Sequence, residues 1–342
     1  MDIGVRGFLE QLVLGDAMRR DGFAILPLFS NMQGTIDYTA LQTAIETHAV
    51  RVEEVSESGS VGDLRVTNTG EISVLALDGE ELAGAKQNRI LNTTILLGRH
   101  TRTVIPVSCT EQGRWSYTSV EFKSSNAFAP PRIRENAKRS VNQSLAENKG
   151  FRANQGQVWD HVSRISAAAG IHSPTSALND VVNSRLPQLN RMVADVNVMP
   201  EQCGLLAIAD GHVLGFDVVS RPGVYARLHE RLLRSYILET GTMKSAVSET
   251  DSTRAANEFL HTALVADERL FPSVGIGDDY RYNGPDIVGS ALATEGQVVH
   301  MAFFRVPPDE MPNWSPRMQG YRSRRGFRSE HHEDSGTDAL TD

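Results

Sequence analysis

The sequence predicts an α+β fold with a β-sandwich-like N-terminal half, a helical insertion and a C-terminal hairpin-and-helix unit. Three observations carry this prediction. Short apolar runs separated by turn residues repeat from about residue 50 to 122, the spacing expected of small strands in a sandwich. At Pro130-Pro131 the pattern changes to helical intervals that last to about residue 195. Asp210-Gly211 and Glu295-Gly296 then each split an apolar stretch into two halves, as a two-residue hairpin turn does.

Composition narrows the function classes. With 342 residues, 40% hydrophobic and 22% charged, the chain has the material for a large core and is not a disordered polymer. A net charge of −8 gives no general attraction to nucleic acid or to an anionic membrane. The two cysteines, Cys109 and Cys203, lie far apart in sequence and make neither a disulfide framework nor a zinc cluster. No stretch reaches the roughly 20 apolar residues that span a bilayer. The start lacks a secretory cleavage pattern, so the expected location is the cytoplasm.

Along the chain, Val5, Phe8, Leu9, Leu12 and Val13 are spaced as one amphipathic helix, an N-terminal element (1–19) suited to docking a partner. "FAILPLF" (23–29) holds a proline and reads as an edge strand, with a helix expected over 37–47. "RVEEV", "DLRVTNTGEISVLAL", "ILNTTILLG", "RTVIPVSC" and "RWSYTSVEF" follow as strands, completing the β-rich part, 20–129. Three helices fill 130–196: one opening at the proline pair, one through "QGQVWDHVSRISAAAG", one starting at Ser173-Pro174. The α/β part, 197–306, holds both hairpins and helices at 222–239 and 251–266. From 307 to 342 an Arg-rich run precedes an acidic one, a disordered tail by composition.

"LDGEELAGAKQNRILN" (77–92) crowds Asp78, Glu80, Glu81, Lys86, Gln87, Asn88 and Arg89 between two apolar runs. Lys86, Gln87, Asn88 and Arg89 suit a nucleotide-type ligand, because Arg grips phosphate through paired hydrogen bonds and amides read base edges or sugar hydroxyls. The same residues would also serve as a structural network paired with the nearby carboxylates. Asp78, Glu80 and Glu81 are candidates for a general acid and base, with Glu80 and Glu81 foremost, or for ligating a hard cation, or are simply solvated acids at a strand end. Cys109 is a core thiol or, if exposed beside Arg89 or Arg114, a nucleophile. Glu111, Arg114 and Trp115 follow a Gln112-Gly113 turn; they fit either a phosphate-and-ring contact or a braced hairpin. Gln155 and Trp159 share a helix face, and Arg132, Arg134, Lys138 and Arg139 make the preceding helix basic, so the two helices together suit either a lid over the β-rich part or plain packing through Trp159. No HExxH, Walker-type or GxGxxG motif, and no GxSxG elbow, occurs. No specific transition-metal site is therefore implied, and the sequence names no cofactor.

Together "LALDGEELAGAKQNRILNTTILL", "IPVSCTEQGRWSY" and "NQGQVWDHVSR" resemble the ARG and rhodanese-phosphatase-superfamily-associated domain family over residues 20–306. The resemblance implies a setting near NAD and ADP-ribose metabolism, inferred for the family from gene context. The expected function is to bind or process an ADP-ribose- or NAD-related ligand through 78–92 and 109–115. The alternative is a non-catalytic interaction module whose motifs are structural and whose N-terminal helix or Arg-rich tail recruits protein. Nucleic acid is the least favoured partner.

Overall fold

The computed structural model describes residues 1–20, 22–32, 34–56, 59–239 and 249–308. The first elements are α1 (Ile3–Glu10), β1 (Leu12–Leu14), β2 (Met18–Arg20), β3 (Phe23–Ser30), β4 (Tyr38–Ala40), α2 (Leu41–Glu46), β5 (Val50–Glu54) and β6 (Asp63–Asn68). Next come β7 (Ser73–Ala76), β8 (Glu80–Gly84), β9 (Arg89–Leu91), β10 (Ile95–Leu97), β11 (Thr101–Cys109) and β12 (Phe122–Phe128). Three helices follow, α3 (Pro131–Ala146), α4 (Gln155–Ala168) and α5 (Leu178–Val193). Then β13 (Gly204–Ala209), β14 (His212–Val219), α6 (Pro222–Glu239), α7 (Glu249–Leu264), β15 (Asp267–Pro272), β16 (Asp278–Asn283), β17 (Ile287–Thr294) and β18 (Gln297–Arg305) complete the set.

A nine-stranded antiparallel sheet, β1-β3-β13-β14-β18-β17-β16-β15 with β2 beside β3, organises the molecule. Its centre is made by the two hairpins. Asp210 and Gly211 take φ of 47° and 80°, and Glu295 and Gly296 take 51° and 72°, the left-handed pair that a two-residue turn needs. Side chains alternate across the sheet. Phe216, Val218, Met301 and Phe303 enter one core with α1 and α7, while Val219, Ala302 and Phe304 enter another with α5 and α6. α3 lies over β17 and β18 on the second face, whereas α4 packs on α3 and β11 and α5 packs on α6 and β12, so the helices of 130–196 bridge the main sheet and the six-stranded sheet of the N-terminal half.

The N-terminal half is sandwich-like. A six-stranded sheet, β12-β8-β9-β11-β6-β5, and a three-stranded one, β10-β7-β4, share a core of Val52, Leu64, Val74, Leu82, Leu97 and Ile105 with Leu41 of α2. Met1–Met311 make one compact unit, whereas the tail expected from 307 lies, after residue 308, outside the described residues.

Several local expectations are corrected. The helix expected through residue 14 stops at Glu10, because Leu12–Leu14 pair with β3. Its buried Val5, Phe8 and Leu9 join the chain's own core, so that apolar face is not free for a partner. β3 is not an edge strand, being paired with β13 on one side and with β1 and β2 on the other. Pro27 is tolerated because its carbonyl, and hence its missing N–H, faces the gap between those two short strands, where Gly15 N donates to it at 2.8 Å. The helix expected over 37–47 begins with a strand, β4, and only 41–46 are helical. Residues 114–121 are irregular rather than extended. The third helix of 130–196 starts at Leu178 rather than at Ser173-Pro174, with Ser173 Oγ accepting from Ala177 N and donating to Asp180.

Candidate functional site

The motif residues fall into three clusters, and the first is a buried charge network. Gly79 turns the chain with φ of 79°. A Cβ there would stand 2.7 Å from the Arg134 side chain, so glycine lets Arg134 of α3 pass and reach Asp78. Arg134 donates to Asp78 through Nε at 3.2 Å and Nη2 at 3.3 Å, and to Asp217 of β14 at 2.8 and 2.6 Å. Lys138 Nζ lies 3.0 Å from Asp78 and donates to Ser290 Oγ at 2.6 Å. Tyr236 OH donates to Asp217, Thr94 Oγ1 donates to Asp78 at 3.0 Å, and His300 links Thr94 and Asp217. Two acids and two bases thus balance inside the core. Burial alone would raise the pKa of Asp78, but Arg134 and Lys138 outweigh it and hold the carboxyl well below the usual carboxylate range.

The second cluster surrounds β8, whose alternation sends Glu80 and Glu81 to opposite faces. Glu80 Oε1 accepts from Arg231 of α6 at 2.9 Å. Glu81 Oε1 accepts from Thr110 at 2.7 Å and Oε2 from Ser125 at 2.8 Å. Burial pushes the Glu81 pKa up to about 7, against the opposing pull of those hydroxyls. Glu81 is a proton-holding group, but it is fully enclosed.

The third cluster holds the remaining motif residues. Arg114 is fully engaged. Nε and Nη2 donate to the two Glu111 oxygens at 2.8 and 2.6 Å, and Nη1 donates to the carbonyls of Ala85 and Ser116 at 2.7 and 2.9 Å. Glu111 also accepts from Asn88 N at 3.2 Å, its carbonyl accepts from Gln87 Nε2 at 2.7 Å, and Asn88 Oδ1 accepts from Gly84 N. These residues brace the turn that follows β11. Arg89 differs: it is 0% exposed, and Nη1 donates to Gln87 Oε1 at 3.1 Å, yet Nε and Nη2 are buried without a hydrogen-bond partner. Its guanidinium carbon is 5.7 Å from the Trp115 ring centroid. The Lys86 ammonium is 5.4 Å from the Trp115 centroid and 5.0 Å from that of Tyr117. Trp115 and Tyr117 are 49% and 52% exposed.

Cys109 closes this cluster from inside. Its thiol is buried and faces the Val61 carbonyl at 3.7 Å, and burial pushes it up to about 11 despite Arg89, so it is a neutral core thiol at pH 7. Gln155 of α4 clamps the Cys109 backbone, accepting from its N–H and donating to its carbonyl, both at 2.8 Å. Among the described residues, no group of three or more His, Cys, Asp or Glu side chains is placed to hold a metal ion. No described helix is long and apolar enough to cross a membrane.

A family model, the ARG and Rhodanese-Phosphatase-superfamily-associated Protein domain (ARPP-1), matches residues 11–304. The chain belongs to this family. No curated protein and no solved structure matches it. The ARPP-1 domain therefore runs from β1 to β18, and the three motifs lie inside it.

Within the ARPP-1 domain, sequence reasoning singled out neither Asp217, Tyr236, His300 and Arg231 nor Glu54. Asp217 and His300 each stand alone among apolar residues of a central strand, which is a readable signal of a partnered buried group. Glu54 follows Val50 and Val52 in strand alternation on the inward side of β5. It is 7% exposed, and neither carboxylate oxygen has a hydrogen-bond partner. It lines an open cleft of about 640 Å³ with Glu53, Ser56, Arg65, Tyr117 and Val120.

Proposed function

We propose that the protein binds an anionic, ring-bearing ligand of the ADP-ribose or NAD type at the Trp115 and Tyr117 surface, backed by the cations of Lys86 and Arg89, and that it does so in the cytoplasm. The observation that carries the reading is the pair of half-exposed rings with one ammonium within 5.4 Å of both centroids. Cations behind aromatic faces leave the outer faces open to stack a base, and a phosphate beside them finds positive charge. The buried Arg89 guanidinium beside the Trp115 ring, with Nε and Nη2 lacking hydrogen-bond partners, adds a second positive charge to this field. The setting near ADP-ribose metabolism that is inferred for the family from gene context agrees with the same chemistry. Binding is favoured over catalysis, because Cys109 is a buried neutral thiol and Glu81 is enclosed by Thr110 and Ser125.

Isothermal calorimetry with ADP-ribose, NAD and AMP tests the proposal, with Trp fluorescence as a second readout. Stacking on one aromatic side chain is worth about 1–3 kcal/mol, so Trp115→Ala should weaken binding roughly tenfold. Folded protein that gives no heat with any of the three would end this reading. It would favour the interaction-module alternative, which the committed pairs Arg114–Glu111 and Arg231–Glu80 support.

A further inference from the structure

We propose that Glu54 is a sugar-recognising residue that accepts hydrogen bonds from the vicinal hydroxyls of a ribose, so that the cleft selects ribonucleotide-type ligands over their 2′-deoxy counterparts. This inference rests on the nucleotide-binding reading and adds to it the part of the ligand that confers selectivity.

Strand alternation drives Glu54 inward behind Val50 and Val52, at the end of β5 where the core gives way to the open cleft. A carboxylate that is nine-tenths buried with two empty acceptors is a costly arrangement. Glu80, Glu81, Asp78 and Glu111 all accept from named donors, whereas Glu54 has none. Its surroundings define what it can take. Gly59 has φ of 78°, and a Cβ on it would lie 3.4 Å from Lys86 Nζ and 3.5 Å from Glu54 Oε2, so ammonium and carboxylate flank the same point. Arg89 and Glu54 also act on each other electrostatically. Two positive neighbours disfavour a bound cation, and the carboxylate itself disfavours a phosphate. Neutral O–H donors suit both conditions, and a vicinal diol offers two to the two oxygens of one carboxylate. A nucleotide places that diol between base and phosphate, as Glu54 shares the cleft with Tyr117 and stands beside Lys86.

The test uses the full chain and two matched probe pairs: AMP against 2′-deoxy-AMP, and ribose 5-phosphate against 2-deoxyribose 5-phosphate. Hydrogen bonds to a charged group are worth enough for the ribo form to bind roughly 10- to 100-fold tighter. Glu54→Gln should lower affinity for the ribo form by a similar factor and bring the ratio close to one. A wild-type ratio near one overturns the inference while leaving the nucleotide reading intact, and that measurement stands even if the variant does not fold. An equal loss for both members of a pair also overturns it, since a base amine or a purely structural carboxylate would behave that way. Absence of binding by every probe removes the nucleotide reading itself, and this inference with it.

Discussion

Replacing Glu81 with glutamine isolates one proton. The folded protein holds the Glu81 proton up to about pH 7, against 4.5 for an ordinary glutamate. Between those values the unfolded state binds fewer protons than the folded one, so stability falls as pH rises. A shift of this size corresponds to about 3 kcal/mol, all of it lost above pH 7. Glutamine keeps the shape and cannot ionise, and the hydroxyls of Thr110 and Ser125 can turn to meet its amide. Glu81→Gln should therefore match wild type near pH 4.5 and exceed it by up to about 3 kcal/mol at pH 8. Urea denaturation followed by far-ultraviolet circular dichroism, from pH 4.5 to 8, gives the difference curve. Asp78 and Asp217 have the opposite sign, since their depressed pKa values stabilise the fold above 3.8 and fail only in stronger acid. They are common to both proteins and cancel. Parallel stability curves for the two proteins would refute the assignment of a proton to Glu81.

Arg134→Met leaves Asp78 and Asp217 buried against a neutral chain. Removing one partner of such a group costs about 3–5 kcal/mol, measurable by the same denaturation. Adding Asp78→Asn and Asp217→Asn to that variant should recover part of the loss. The thiols of Cys109 and Cys203, pushed up to about 11 and about 12 by burial, should not react with dithiobis-nitrobenzoate at pH 8 until denaturant is added. Both should then react at once, and fast labelling of Cys109 in native protein would reopen it as a nucleophile.

Where chemistry is local, the sequence is legible. Asp210-Gly211 and Glu295-Gly296 need no distant partner to turn, and both hairpins stand where those dipeptides put them. Pro131 likewise opens α3. β15 and β16 went unread because "DERLFP" and "DDYRYN" look solvated. In β16, Tyr280 and Tyr282 enter the core on one face, while Asp279 and Arg281 pair with each other and with Thr93 on the other. The dense charge of 78–92 announced a network but not its partners, since Arg134, Asp217, Arg231 and His300 come from far along the chain. Glu54 was readable by alternation alone, as the third inward position after Val50 and Val52.

The charge network also bears on how the protein is made. Asp78 leaves the ribosome well before Arg134, and Asp217 and His300 come later still. β18, the last described strand, lies between β14 and β17 in the sheet. A nascent chain can form the sandwich-like strands early, but Asp78 must stay hydrated until α3 arrives and until β14 and β18 supply the sheet beneath it. Closure of the network therefore waits for β18, and fragments ending before residue 300 should emerge as loosely packed species rather than as a finished first half.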